Sequence, residues 1–224
     1  YPFYTNKDID DVSDILKSGK VNYWTGKICR KFENEYAKYF NRKYAIAVSN
    51  GSVALEIALK SLNLKKTDEV IVTPRSFVIS ATCVLNVGYR PIFSDVNDNG
   101  NLDIDSIKRV YTNKTKALIV VHLNGLPCDM DEIVKFCSDK KIYLIEDCAQ
   151  SHGGKYKGKK LGTFGILSCW SFCQDKIIST GGEGGMITTN SKKLFKYCWS
   201  FKDHGKNYYL SNKKNNKIWF KWLI

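Results

Sequence analysis

The segment ALIVVHLNGLPCDMDEIVKFCSDKKIYLIED, residues 117–147, decides the fold class. It opens with ALIVVHL, a continuous apolar run of strand length. Residues 129–138 then read as a helix, which leads into a second apolar run, IYLIED. Apolar runs without alternation mark strands covered on both faces. Strand, helix and strand in that order indicate a parallel pair in a mostly parallel sheet.

The alternation extends in both directions. Upstream, Ile9, Val12, Ile15 and Leu16 recur at helical spacing over residues 7–19, and Gly19 is a stop signal. Phe32, Tyr36, Tyr39 and Phe40 mark a second amphipathic helix. YAIAV reads as a strand followed by a helix carrying Leu55, Ile57, Ala58 and Leu59. EVIV, a helix over residues 80–85, RPIFSDV and a further short helix lead into the central segment. Downstream, LSCWSF and GMITT are strands, and a helix covers residues 194–199. The expected architecture is α/β, a mostly parallel sheet flanked by helices, with no internal repeat.

Composition narrows the class. The 224 residues suffice for one large domain or a domain with a fragment of a second, and 43% hydrophobic content excludes general disorder. No apolar run approaches the length of a membrane span, and YPFYTNKDID lacks the basic start and apolar centre of a signal peptide. A soluble cytoplasmic protein that engages no membrane is expected. The net charge of +13 comes from 35 Lys+Arg against 22 Asp+Glu. The lysines scatter in ones and twos, apart from Lys155, Lys157, Lys159, Lys160 and the tail. An anionic small substrate accounts for such a charge without nucleic acid. The eight cysteines form no CxxC pair and have no histidine at zinc spacing, so neither metal nor disulfide is expected.

The chain ends on SFKDHGKNYYLSNKKNNKIWFKWLI, polar and then strongly aromatic. Residues 1–200 are expected to form one large domain. Residues 201–224 would begin the connection to a small C-terminal domain that is missing.

In open α/β sheets, ligands sit beyond the C-terminal ends of the strands. Three such ends carry chemically informative residues. In AVSNGSVAL, residues 47–55, a strand runs through Ser49, Asn50, Gly51 and Ser52 into a helix. Free amides and a hydroxyl at a helix N-terminus suit a phosphate, although a capped helix after a tight turn reads the same way. In IYLIEDCAQSHGG, residues 142–154, Asp147 stands at the strand's end, where a carboxylate could pair with a cationic ring nitrogen or cap the next helix. Gln150 follows within one turn and could donate to a phenolate oxygen.

The third end is SFCQDKIISTGGEGG, residues 171–185. Ser171 closes a strand and offers a hydroxyl. Lys176 follows on a loop, before a glycine cluster foreign to strand or helix and suited to positive φ or close approach to a ligand. Its amine is either an ordinary surface charge or a Schiff-base nucleophile. A phosphate site, an acid for a ring nitrogen and a loop lysine, in that order, describe pyridoxal phosphate. GGKYKGKK, residues 153–160, matches a phosphate-loop pattern until Lys160, where Ser or Thr is needed; YKGKK reads as a hairpin turn. No G-x-G-x-x-G follows a strand, against a nicotinamide cofactor.

The motifs VNYWTG, SNGSVAL, DEVIVTPRSF, PIFSDV, VHLNGLPCDMD, IEDCAQSHGGKYKGKKLGTFG, SFCQDK and TGGEGGMITTN run in order through nearly the whole chain. In them the chain resembles the DegT/StrS family of sugar-nucleotide aminotransferases, fold type I enzymes of pyridoxal 5′-phosphate (PLP). The resemblance implies that Lys176 is catalytic, holding PLP as a Schiff base and later shuttling a proton. It implies that Asp147 keeps the pyridine nitrogen protonated and that Phe77 stacks on the ring. Gly51, Ser52 and Ser171 would hold the phosphate, and Gln150 would approach the phenolate oxygen. His152 reads as a packed side chain, the alternative being support behind a residue that touches the cofactor, and no role is assigned to Glu183.

The implied reaction moves an amino group from an amino acid, L-glutamate, to a nucleotide-linked keto-sugar for polysaccharide, lipopolysaccharide or amino-sugar synthesis. The enzyme would be a homodimer at full length. Keto-cyclitol substrates and a truncated or regulatory, non-catalytic relative remain as alternatives. Lys176 argues against the family's dehydratases, which have histidine there. Two departures stand out: Ile177 replaces an Asn common in relatives, and the segment carrying a partner-reaching Asn and Arg is absent.

Overall fold

The structure is a computed structural model that describes residues 3–211. The terminal WFKWLI and the rest of residues 212–224 lie outside the described residues, as do residues 1 and 2.

Helix α1 (Asn6–Lys17) opens with a capping box in which Thr5 and Asp8 bond reciprocally. Its apolar stripe forms as the periodicity predicts, yet none of its residues is buried; Ile9, Val12 and Leu16 are all exposed. Helix α2 (Ile28–Tyr39) instead buries Tyr36 and Ala37. The main sheet then takes shape from β1 (Tyr44–Val48), β2 (Glu69–Val72), β3 (Arg90–Phe93), β4 (Thr115–Val121) and β5 (Tyr143–Asp147), with later strands β8 (Leu167–Ser171) and β9 (Gly185–Thr189). The connecting helices are α3 (Gly51–Ser61), α4 (Ile79–Asn86), α5 (Ile104–Val110) and α6 (Met130–Lys140). Helices α7 (Lys192–Lys202) and α8 (Tyr208–Ser211) follow the sheet, and α7 runs through position 200.

The seven strands lie in the order β1-β9-β8-β5-β4-β2-β3. Strands β3, β2, β4, β5 and β8 pair in parallel, whereas β9 is antiparallel to both β8 and β1. The mostly parallel sheet is therefore as expected, with one reversed strand that the apolar runs did not indicate. The register aligns Val121 with Asp147, and Ser171 and Val48 with the same Gly185. The C-terminal ends of β1, β8, β5 and β4 thus open on one edge.

Continuous apolar strands are explained by two covered faces. Ile119 and Ile145 point into a core with Leu55, Leu59 and Trp199, under α3, α4 and α7. Their neighbours Leu118, Val120 and Leu144 point the other way, into a core with Met130, Ile133 and Phe136 of α6. A third cluster packs Tyr36 and Phe40 on Trp170 and Phe172. Each fully buried large side chain contributes on the order of 2 kcal/mol, so both layers are needed.

The YKGKK turn forms the expected hairpin. Strands β6 (Lys155–Tyr156) and β7 (Lys159–Lys160) pair across Lys157 and Gly158, with φ of 47° and 80°, a two-residue turn that demands positive φ twice. The glycine cluster needs correction. Of its four glycines Gly181 takes a positive φ, 92°. Gly185 is a strand residue, and a Cβ there would sit 2.3 Å from the Asn50 carbonyl oxygen. Its smallness accommodates the approach of α3's first turn, not a ligand.

Candidate active site

The edge where the parallel strands end encloses a cavity of about 400 Å³. All seven predicted site residues, Gly51, Ser52, Phe77, Asp147, Gln150, Ser171 and Lys176, line it. They come from four different strand ends, those of β1, β2, β5 and β8, so no local segment could have brought them together.

One wall is the N-terminus of α3. Asn50 caps the helix: its side chain accepts the Val53 amide at 2.9 Å and its carbonyl accepts the Ala54 amide. That leaves the Gly51 and Ser52 amides as the first-turn donors facing the cavity, where the helix dipole favours an anion. Gly51 must be glycine for a spatial reason: a Cβ would lie 2.8 Å from Cβ of Ser171. The Ser171 hydroxyl consequently stands directly beside the helix start.

Asp147 forms the floor, 5% exposed. Its Oδ2 accepts the Ser80 hydroxyl at 3.2 Å and its Oδ1 accepts the Ala149 amide at 3.1 Å. Burial pushes its carboxyl above the ordinary range, and these two donors only partly oppose it. A cation in the cavity would relieve that cost. Capping is not its principal role, since the Ala149 bond closes a turn without a helix behind it. Sequence reading missed Ser80 because it sits inside α4, 67 residues away.

Gln150 is oriented by its carbonyl. Oε1 accepts the Asn124 amide at 2.7 Å, which leaves the amide nitrogen free to donate. Asn124 holds φ at 54°, a left-handed conformation that Asn tolerates and that aims its N–H at Gln150. Lys176 closes the cavity, its side chain 20% exposed and its Nζ 2.9 Å from Asp175 Oδ2. Asp175, which the sequence did not single out, is held below the usual carboxylate range by that contact. Phe77 is 67% exposed and lines the cavity. Glu183 lines the same cavity and accepts from the Cys173 thiol at 3.4 Å.

On the opposite face of β5, Glu146 is wholly buried. The amides of Gly162, Phe164 and Gly165 donate to it, with the Ser168 hydroxyl and His122 Nε2. The Arg42 guanidinium bonds the Gly162 and Gly165 carbonyls and lies 3.8 Å from Glu146. His122, Glu146 and Cys148 bring possible metal ligands within 4.8 Å of one another. Glu146 is already saturated with donors, and burial pushes the Cys148 thiol well up, away from the thiolate a metal needs. The cluster is an anchor for the loop over residues 162–165. No spacing in the sequence announced it.

His152 is packed, as expected, with its ring 5.3 Å from both Trp170 and Phe172. The eight cysteines are free thiols, six of them buried. Among the described residues no helix is long and apolar enough to cross a membrane.

The DegT/DnrJ/EryC1/StrS aminotransferase family profile matches residues 3–221. GDP-perosamine synthase of Escherichia coli O157:H7 is 42% identical over 205 residues, covering 91% of this chain and 56% of that protein. The aminotransferase structure from Psychrobacter cryohalolentis superposes with a TM-score of 0.95 at 49% identity, over 100% of this chain and 57% of the other. Bacillus subtilis NtdA, solved with bound cofactor PMP, superposes with a TM-score of 0.84 at 32% identity, over 96% and 48%. The chain thus spans about half the length of the relatives it matches.

Proposed function

The chain belongs to the DegT/DnrJ/EryC1/StrS aminotransferase family, and on that premise we propose that it works in PLP-dependent amino transfer. The acceptor is a nucleotide-linked keto-sugar, in keeping with the GDP-perosamine synthase relative, and the donor is an amino acid, L-glutamate in our reading. The observation that carries the proposal is the meeting of Lys176, Asp147 and the Gly51–Ser52 amides in one cavity.

The residues fit the cofactor. The Gly51 and Ser52 amides and the Ser52 and Ser171 hydroxyls supply donors for a phosphate. Asp147, whose buried carboxyl is pushed up, supplies the counter-charge for a protonated ring nitrogen. Phe77 offers a stacking face, and Gln150, with its oxygen engaged, donates to the phenolate oxygen. When bound, PLP provides an electron sink for the charge left as a proton leaves the carbon beside the amine. Lys176 Nζ would hold the cofactor before the substrate enters and, once released from it, would move that proton. Asp175 keeps Nζ in place at 2.9 Å.

Residues 1–200 serve as the PLP-binding large domain, with residues 201–224 leading toward a C-terminal domain. The reading also carries a cytoplasmic homodimer that engages neither membrane nor nucleic acid; the charge of +13 serves an anionic nucleotide substrate. The test is visible absorbance with added PLP, before and after borohydride, beside Lys176→Ala. A borohydride-sensitive band that depends on Lys176 supports the proposal. A full-length protein that stays colourless would sink it.

A further inference from the structure

We propose that His152 is a positioning residue for the phosphate seat: it fixes the carbonyl of Ser171 so that the Ser171 hydroxyl stands over the first turn of α3. The inference rests on the reading of the cavity as a cofactor site, and concerns a side chain that does not line it.

Ser171 is the last residue of β8, where the sheet stops supplying partners. The Phe172 amide bonds Gly184 across to β9. In an antiparallel ladder hydrogen-bonding direction alternates along the strand, so the Ser171 carbonyl points the other way, toward β5. Pairing of β5 with β8 ends two residues earlier, at Asp147 and Cys169. The carbonyl would be left without a donor. His152, on the turn after β5, provides one: its Nε2 lies 2.8 Å from the Ser171 oxygen.

The ring is held so that only this role suits it. A carbonyl only accepts, so Nε2 carries the hydrogen and the neutral ring's Nδ1 is an acceptor. Nδ1 takes the Tyr36 hydroxyl at 2.9 Å. Burial lowers the proton affinity of His152 and favours that neutral form. Trp170 and Phe172, the two neighbours of Ser171, clamp the ring between them. Tyr36 is 5% exposed and packed among the same aromatics. His152 thereby ties the end of β8 to the core beneath α2. The tolerance on the other side is small, since a Cβ on Gly51 would be 3.4 Å from the Ser171 hydroxyl oxygen and 2.8 Å from its Cβ. A displaced Ser171 either collides with α3 or withdraws its hydroxyl from a phosphate.

The test compares PLP with pyridoxal, which has the same ring and aldehyde without the phosphate. Both are titrated against the full-length protein by the Lys176-dependent absorbance band, and folding is followed by thermal melting. His152→Leu is expected to weaken PLP about tenfold, the loss of one buried hydrogen bond, with pyridoxal unchanged. His152→Gln, whose amide reaches the same carbonyl, is expected to recover most of the loss. If His152→Leu does not fold, His152→Asn takes its place, with an amide that stops short of Ser171. Equal weakening of both ligands would show a merely structural histidine and overturn the inference, as would no weakening of either. A wild type showing a band with neither ligand would overturn the cofactor reading first, and this inference with it.

Discussion

On β5, Glu146 points to one face of the sheet and Asp147 to the other, and both lose almost all contact with water. Burial alone would raise both carboxyls. At Glu146 it is outweighed by His122 and by the amides of Gly165 and Gly162, and the carboxyl is held below the usual range. At Asp147 the donors are the Ala149 amide and the Ser80 hydroxyl, and burial prevails. Neighbours in sequence thus differ in how fully the protein replaces their lost hydration. A saturated buried carboxylate is an anchor. An undersaturated one at a cavity floor is a standing demand for a cation, which a protonated ring nitrogen would meet on the proposed reading.

The largest expected effect breaks the anchor. Glu146→Ala strips several buried donors of their acceptor and should cost about 3–5 kcal/mol, as removal of one member of a buried charged network does. Thermal or urea denaturation would read this as a large fall in midpoint, and an unchanged midpoint would refute the contrast.

Asp147→Asn should do the reverse. Amino transfer is expected to fall by on the order of 10²-fold or more, from loss of the charge facing the ring nitrogen. The ligand-free protein should melt at the same temperature or higher at pH 7. A kinetic assay and a melt on one preparation test both halves.

The pH dependence separates the two residues further. The Glu146 contribution, with its folded-state pKa depressed, is complete above the ordinary value of 4.5 and is lost as pH falls through the depressed value. Asp147, with its pKa raised, costs nothing below the ordinary 3.8 and costs progressively more as pH rises through the folded-state value. The gap between Glu146→Gln and wild type should therefore close on acidification. The gap between Asp147→Asn and wild type should open as pH rises from about 3.8. Melting curves between pH 3 and 7 would show whether the signs are opposite.

The smallest effect belongs to Ser80→Ala, which removes one of the two donors on Asp147. Loss of one hydrogen bond, about 1 kcal/mol, should change cofactor affinity several-fold with little effect on folding. An affinity change as large as that of Asp147→Asn would mean that Ser80 has a more direct role.

Much of this site was legible in the chain because its residues stand at strand ends, and strand ends are visible as the point where an apolar run meets glycine, serine or acid. Asn50-Gly51-Ser52, Asp147 and Ser171 are all of that kind. What surrounds them was not legible. Ser80 and Arg42 reach their partners across 67 and 123 residues, and no local pattern distinguishes them from an ordinary helix serine or surface arginine. Glycines were overread for the same reason: Gly185 reads as room for a ligand until the approach of Asn50 is seen.

By itself the sequence determined which segments are strands and helices, since that depends on side chains a few residues apart, and it carried the family's ordered motifs. The tertiary structure decided the reversal of β9, the face on which each β5 carboxylate lies, and which of the two is saturated. Those outcomes depend on strand order. A strand's neighbours in the sheet, and therefore the donors within reach of a buried oxygen, are selected by the packing of the whole chain rather than by proximity along it.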